Sequence, residues 1–518
     1  MKFHPKSQIL HMTAVIDTEN QPFPLVIRYL GIDTHQQPTV YLRRNSHVCK
    51  AEGFASASRV QISSEQATII ASLNIVDSDI LASGEIGLSL SAAHLLKAPE
   101  RSIVHVCHPK PIQSLSHLRH KVYGHHLNDN QMDSIVSDIV AGRYSDVHLA
   151  TFITACAGKN LDQEEIISLT RAMLHAGDRL DWHTSPVVDK HCVGGLPGNR
   201  TTPIVVSIVT ACGGVMPKTS SRAITSPAGT ADTMSTMTEV ELDLPVLKQV
   251  VQQEGGCLAW GGSVHLSPAD DILIRAEREL DLDSEGQMVA SVLSKKIAAG
   301  SSHVLIDIPI GPTAKVRSQA DAELLSDLLM TTGKALGLTV EVICTDGSQP
   351  VGRGIGPALE AQDIIKVLKN QADAPQDLRE RSLLLAGKVL EMAGLAPQGQ
   401  GLRKAEHTLI TGAAWDKFFK ICEGQGGFKK PTVAHYQYSW CSPLNGVVSA
   451  IDNRNLAKLA KLAGAPEDLA AGVTLEVKLG HSIRIGDPLL VIHAESPGAL
   501  NYAIEFLTDR PDIIKITP

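Results

Sequence analysis

Short apolar runs broken by turn residues fill the first hundred positions. Residues 25–30 (LVIRYL) and 39–42 (TVYL) are separated by Gly, Asp, Asn and Pro, which predicts β-strands. Residues 102–107 (SIVHVC) predict a last strand, and Pro109 and Pro111 mark a linker after it. From about 128 to 177 the period lengthens. Met132, Ile135, Val136, Ile139 and Val140 fall on one helical face, with Gly142 as a stop. Leu149, Phe152, Ile153 and Cys156 repeat the pattern. Asp162 with Glu165 forms a capping box that opens a helix carrying Ile166, Leu169 and Met173. Three short, tightly connected helices follow from this.

From about 186 the character becomes α/β. Val187–Val188 predicts a strand end, and residues 204–209 the helix after it. Residues 268–300 return to helix with Pro268 in its first turn, and residues 303–308 (HVLIDI) predict a buried strand. Strands and helices alternate to about 425. After Gly426, Gly427 and Pro431 a small β-rich unit begins, with strands at 473–477 and 489–493 around Gly480 and Gly486. There is no long internal repeat and no low-complexity tract.

A chain of 518 residues holds about three or four domains. It is 43% apolar and 20% charged, which is ordinary for a soluble globular protein. Lys plus Arg number 47 and Asp plus Glu 55, a net charge of −8. That balance argues against binding nucleic acid or an acidic membrane through clustered positive charge, but leaves room for a small anion at one local site. The N-terminus shows no basic leader with an apolar core, and no apolar run approaches the roughly 20 residues that span a bilayer. Nine cysteines lie scattered without a C-x-x-C pair, so a reduced, cytoplasmic protein without structural zinc is expected.

Two stretches carry chemistry. Residues 189–202 (DKHCVGGLPGNRTT) hold three glycines, Gly194, Gly195 and Gly198, which let backbone N–H groups approach an anion, with Lys190 as a point charge and Thr202 as a hydroxyl. Phosphate fits such a loop; a tight strand–helix turn without a ligand fits it equally. The spacing is not that of an ATP-type P-loop. Residues 217–232 (PKTSSRAITSPAGTAD) place five Ser or Thr hydroxyls and Arg222 between Ser220 and Thr230. These suit phosphate and sugar oxygens; the alternative is a polar surface loop. His265 and Asp270–Asp271 suggest metal ligands, but no second His lies four residues on, so a helix start beside a hinge is expected and no metal. Gly255–Gly256 and Gly261–Gly262 agree with the hinge.

The motifs together resemble a known family. Lys190-His191-x-x-Gly194-Gly195, Ser220-x-Arg222, Gly229-Thr230 and 291–296 (SVLSKK) are similar to thymidine and pyrimidine-nucleoside phosphorylases. Residues 217–225 (PKTSSRAIT), 312–315 (PTAK) and 352–360 (GRGIGPALE) are closer still to their longer relatives, the AMP phosphorylases, which carry a comparable extra N-terminal domain. The resemblance implies an α/β multidomain fold. A helical domain (106–185 and 265–300) and an α/β phosphate-binding domain (186–264 and 301–428) close over a cleft by hinge motion. A β-rich N-terminal domain (1–105) and a small C-terminal α+β domain (429–518) flank them.

It also implies a pentosyltransferase. Inorganic phosphate attacks C1′ of a nucleoside or nucleoside 5′-monophosphate, with no metal or organic cofactor, in a homodimer or larger homo-oligomer. By resemblance, Lys190, Gly195, Thr202, Ser220 and Thr230 bind phosphate. Asp283 or His191 supplies the proton to the departing base. Ser221, Arg222, Ala223, Ile224, Thr225, Ser226, Ser291, Lys295 and Lys315 bind substrate. Two departures stand out. Cys192 replaces the family's Ser, and a thiol is a weaker donor. The family's base-binding Arg is replaced by Ala276, flanked by Arg275 and Arg278. The alternatives are a phosphoribosyltransferase of the anthranilate type, or a non-catalytic nucleotide-binding protein of the same fold.

Overall fold

The computed structural model describes residues 23–34, 37–198, 200–223, 226–264, 266–280, 282 and 284–518. The chain divides into two compact units, one of residues 1–113 with 141–145, the other of 114–140 with 146–518. Each is described by itself.

In the first unit, alternation of inward apolar residues builds six strands, β1 (Phe23–Tyr29), β2 (Thr39–Arg43), β3 (Arg59–Ser63), β4 (Thr68–Val76), β5 (Glu85–Leu88) and β6 (Ile103–Cys107). They close into a barrel in the order β1-β5-β2-β4-β3-β6. Closure leaves no open edge. The pairs β1–β5 and β2–β4 are parallel and the others antiparallel. Leu25, Ile27, Val40, Leu42, Val60, Ile62, Leu73 and Ile86 fill the interior. Each such side chain contributes roughly 1.5–3 kcal/mol on burial. Helices α1 (His47–Glu52) and α2 (Leu90–Leu96) cover it.

The second unit opens with four helices, α3 (Leu115–Val122), α4 (Asp129–Val140), α5 (Asp146–Cys156) and α6 (Gln163–His175). The apolar faces predicted for the last three are buried, including Met132, Ile135, Ile139, Phe152, Ile166 and Leu169. The capping box at α6 is formed: Asp162 accepts from the Glu165 amide at 2.9 Å and Glu165 from the Asp162 amide at 3.2 Å. Glu165 also holds the buried Lys121 ammonium at 2.7 Å.

A parallel layer follows: β7 (Val188–Cys192), α7 (Thr201–Ala211), β8 (Met216–Ser220), α8 (Thr230–Ser235), α9 (Leu244–Glu254) and β9 (Gly256–Trp260). Strands β8 and β9 pair in parallel, and a single bridge from Val187 to Val215 links their edge to β7. Helix α7 is apolar on all sides and lies at the centre of the core with Ile204, Val205, Ile208 and Val209. Its Ser207 and Thr210 hydroxyls survive there by donating at 2.7 Å to carbonyls one turn back.

Helices α10 (Pro268–Leu280) and α11 (Glu285–Ala298) return to the helical layer. Ser284 caps α11, its hydroxyl accepting from the Gln287 amide. Strands β10 (His303–Ile310) and β11 (Thr339–Asp346), with α12 (Gln319–Ala335) between them, complete the sheet β11-β10-β7. The expected hinge glycines have packing reasons. Gly255 is the left-handed cap of α9 at φ 78°, a Cβ on Gly256 would lie 2.7 Å from Met216 O, and one on Gly262 would strike Trp260.

The short strand β12 (Gly354–Ile355) precedes α13 (Pro357–Leu368), α14 (Gln376–Met392), α15 (Gly401–Ile410) and α16 (Ala413–Gly424). The last segment forms β13 (Tyr436–Cys441), β14 (Gly446–Ile451), α17 (Asn453–Leu462), β15 (Gly472–Leu475), β16 (Ser482–Ile483), β17 (Pro488–Ala494), α18 (Pro497–Asp509) and β18 (Ile514–Thr517). Strand β12 joins its sheet by pairing with β15. Lys478 fastens the same junction, its ammonium reaching Pro350 O, Gly352 O and Asp377 at 2.7–2.8 Å.

Candidate active site

The carboxyl ends of β7 and β8 point two loops to one side, the place where open parallel sheets hold ligands. Strand β7 delivers Asp189, Lys190, His191 and Cys192 in succession, all but His191 buried. Lys190 is 0% exposed, and its ammonium donates to Thr201 Oγ1 at 2.6 Å and Thr202 Oγ1 at 3.4 Å. Asp189 takes two lysines instead: Lys218 of β8 at 3.0 Å and Lys296 of α11 at 2.8 Å. Lys218 also donates to Lys190 O at 2.9 Å.

Beneath Lys190, the fully buried Asp307 accepts from Thr345 Oγ1 at 2.6 Å and lies 3.9 Å from Arg381. The floor thus carries four buried or nearly buried cations, Lys190, Lys218, Lys296 and Arg381, around two carboxylates.

Protonation follows from this crowding. Burial pushes Lys190 down. Burial also pushes Lys296 down, to about 7, with Asp189 opposing and Lys218 adding to the fall. Burial drives the Asp189 carboxyl upward, but Lys218 and Lys296 outweigh it and hold the group below its usual range. His191 is forced well below its ordinary value, first by burial and then by Lys296, Lys218, Lys295 and Lys190, so its ring is neutral. Burial lifts the Cys192 thiol to about 12, with Asp307 adding to the rise, so it is no nucleophile.

The glycine loop turns sharply over this floor. Gly194 and Gly195 have φ of 91° and 81°, and Leu196 follows at 78°. A left-handed leucine costs roughly 1–2 kcal/mol. Its burial in the C-terminal core beside Ile355 and Leu490 offsets the strain. A Cβ on Gly195 would lie 2.9 Å from the Lys315 amide, so only glycine lets the Lys315 loop close on it. That second loop is pinned from the C-terminal segment, where the Asn453 amide donates to Thr313 Oγ1 at 3.1 Å.

After β8, Asp232 organises the hydroxyl-rich loop by accepting from the Ala223 amide at 2.6 Å and the Gly229 amide at 2.9 Å. Arg222 reaches Asp232 at 3.3 Å and Glu241 at 2.7 Å, and lies over the Trp260 ring at 5.2 Å. Its guanidinium is thus braced by protein partners while its side chain stays 38% exposed, where the resemblance expects it to hold substrate. Lys295 is likewise held by the buried Asp270, at 2.7 Å. Arg275 is turned toward Asp146, 3.9 Å away.

One cleft gathers Lys190, His191, Gly195, Thr202, Ser220, Ser221, Arg222, Ala223, Ser226, Thr230, Ser291, Lys295 and Lys315. Asp283, Ile224, Thr225 and His265 lie outside the described residues. Among the described residues no group of three His, Cys, Asp or Glu could hold a metal, and no helix is long and apolar enough to cross a membrane. Sequence reasoning assigns no role to Asp189, Lys218, Lys296, Asp307 or Trp260. The available signal was charge inside otherwise buried strands, since Lys and Asp almost never go under unpaired.

Comparison with known proteins agrees with this layout. Residues 115–177 match the helical bundle domain of a glycosyl transferase family and residues 184–415 its a/b domain. Residues 447–513 match the pyrimidine nucleoside phosphorylase C-terminal domain. A curated protein of Hahella chejuensis named "Putative thymidine phosphorylase" is 58% identical over 492 residues, covering 95% of this chain and 97% of its own. One of the same name from Polaromonas sp. is 56% identical, covering 96% and 97%.

In fold alone, the crystal structure of anthranilate phosphoribosyltransferase from Thermus thermophilus is similar, with a TM-score of 0.51 at 19% identity. It covers 60% of this chain and 99% of that one. The domain matches and the near-full-length relatives together place the chain in this glycosyl transferase family, within the phosphorylase branch that carries the pyrimidine nucleoside phosphorylase C-terminal domain.

Proposed function

We propose that the chain is a pentosyltransferase of the thymidine phosphorylase type whose substrate is a nucleoside 5′-monophosphate. The observation that carries the phosphorolysis is the charge of the floor. Among the described residues Lys190 has only hydroxyl partners, and Lys218 and Lys296 share the one carboxylate of Asp189, so the floor is short of negative charge under a loop of backbone amides. Burying charge without a partner costs several kcal/mol per ion. A hydrogen phosphate dianion supplies the missing pair.

In the proposed reaction a phosphate oxygen attacks C1′. The new C1′–O bond forms as the C1′–N bond breaks, and the electron pair leaves on the base nitrogen, which takes a proton. Lys190, Gly195, Thr202, Ser220 and Thr230 position the nucleophile. Asp283 is the proton donor that the resemblance implies. His191, neutral among four lysines, serves as a hydrogen-bonding group rather than a charged acid. The 5′-phosphate falls to Lys315, exposed in the cleft beside Gly195, with Ser221 and Ser226. Arg222, braced by Asp232 and Glu241, lines the same cleft. The reading includes a cytoplasmic homodimer or larger homo-oligomer and inorganic phosphate as the co-substrate, without a metal or organic cofactor.

A substrate panel tests it. Phosphate with thymidine, uridine, AMP, CMP or UMP is expected to release base from the monophosphates. Activity confined to unphosphorylated nucleosides removes the 5′-phosphate from the reading. Nucleotide binding by calorimetry without any phosphate-dependent base release reassigns the chain to non-catalytic binding.

A further inference from the structure

The cleft has a second, chemically different side. Helix α11 supplies Lys296 to the floor. One to two turns back toward its N-terminus, at 1.5 Å per residue, it presents Val292, Ser291 and Met288. Helix α10 faces the same space with Ile274 and Glu277, three residues apart and so on one side of the helix. An apolar slot with few polar groups is the usual environment of a nucleobase. Phosphate and base are joined to the same sugar carbon in turn, so the base belongs on this side when phosphate occupies the floor.

Among the described residues, the polar groups here accept more than they donate. Lys295, the residue expected to donate to the base, is matched by Asp270 at 2.7 Å, and Arg275 points toward Asp146. Ser291 can donate or accept. Glu277 adds a carboxylate with two oxygens and about four lone pairs, so it keeps acceptor capacity whatever other partner it has.

We infer that Glu277 determines base choice by accepting a hydrogen bond from an exocyclic amino group, favouring aminated bases over those with a carbonyl at that position. A carbonyl there would set acceptor against acceptor in a site built to receive a donor, and such mismatches are rejected strongly. The inference rests on the phosphorolysis reading and deepens it.

CMP and UMP make the matched test, because their bases share one ring and differ by an amino group against a carbonyl at position 4. The wild-type enzyme is expected to favour CMP over UMP in kcat/KM by at least about tenfold. Glu277→Gln keeps the shape but presents both a donor and an acceptor, and is expected to bring the ratio within about threefold of unity. A merely structural change would slow both substrates together and leave the ratio alone.

Wild-type enzyme that uses UMP as well as CMP overturns the inference, whether or not the variant folds. So does an unchanged ratio in Glu277→Gln. Calorimetric binding of the same two nucleotides reads the preference without turnover. Failure of phosphorolysis and failure of base choice are therefore separate results.

Discussion

Lys190→Met separates the cost of the phosphate floor from its use. The ammonium is fully buried, its hydrogen-bond partners are the Thr201 and Thr202 hydroxyls, and burial, with the Arg381 charge adding to it, drives its basicity down against the pull of Asp307. The folded chain therefore holds this charge at a loss relative to the unfolded one, where the group titrates near its ordinary 10.5. Methionine has similar length and removes the charge. Losing a charge-assisted hydrogen bond to phosphate forfeits roughly 1.5–3 kcal/mol. At about 1.4 kcal/mol per decade, the KM for phosphate rises about ten- to hundredfold.

Stability without phosphate moves the other way. The unfolding temperature of Lys190→Met in phosphate-free buffer is expected to equal or exceed that of the wild type, while the added stability that phosphate confers on the wild type shrinks. The assay is initial rate against phosphate at saturating nucleotide, paired with thermal unfolding with and without the ion. An unchanged KM for phosphate refutes the assignment. A lower unfolding temperature with KM intact would make Lys190 a structural cation held by the two threonines.

Two further perturbations probe the surroundings. Glu360 meets Arg200 at 3.4 Å in the core, and burial pushes its carboxyl up to about 7 from an ordinary 4.5, against the pull of Arg200. Between those values the folded chain binds the proton that the unfolded chain releases, so this contribution to stability is full below 4.5 and lost as pH rises through 7. Glu360→Gln is expected to flatten the unfolding temperature between pH 5 and 7.5, roughly the span of that titration; parallel curves for the two proteins dismiss Glu360 as the source. Asp283→Asn is expected to slow base release while leaving phosphate-induced thermal stabilisation intact, and turnover at the wild-type rate would move the proton donor elsewhere.

What could be read from the sequence divides along a physical line. Local rules worked where a residue's partner is nearby in the chain. The α4 stripe of Met132, Ile135 and Ile139, the Asp162–Glu165 box and the buried strand at 303–308 each depend on neighbours within a few positions. The glycine loop is legible for the same reason, since its glycines act through their own backbone. The barrel was visible only as strands. Alternation specifies which face of β1 turns inward, but not that β1 pairs with β5 in parallel, which depends on chain entropy and closure.

Charge partners were the least visible. Asp189, Lys218 and Lys296 come from β7, β8 and α11, and nothing local to any one of them announces the other two. Arg222 shows the consequence. Its sequence neighbours are hydroxyls suited to phosphate, and the fold adds Asp232, Glu241 and the Trp260 ring, partners that no local pattern announces. An ion beside a ligand loop becomes informative only after its partners are counted. On that count Lys190 has hydroxyl partners and, among the described residues, no carboxylate at salt-bridge distance, whereas Arg222 has two carboxylates.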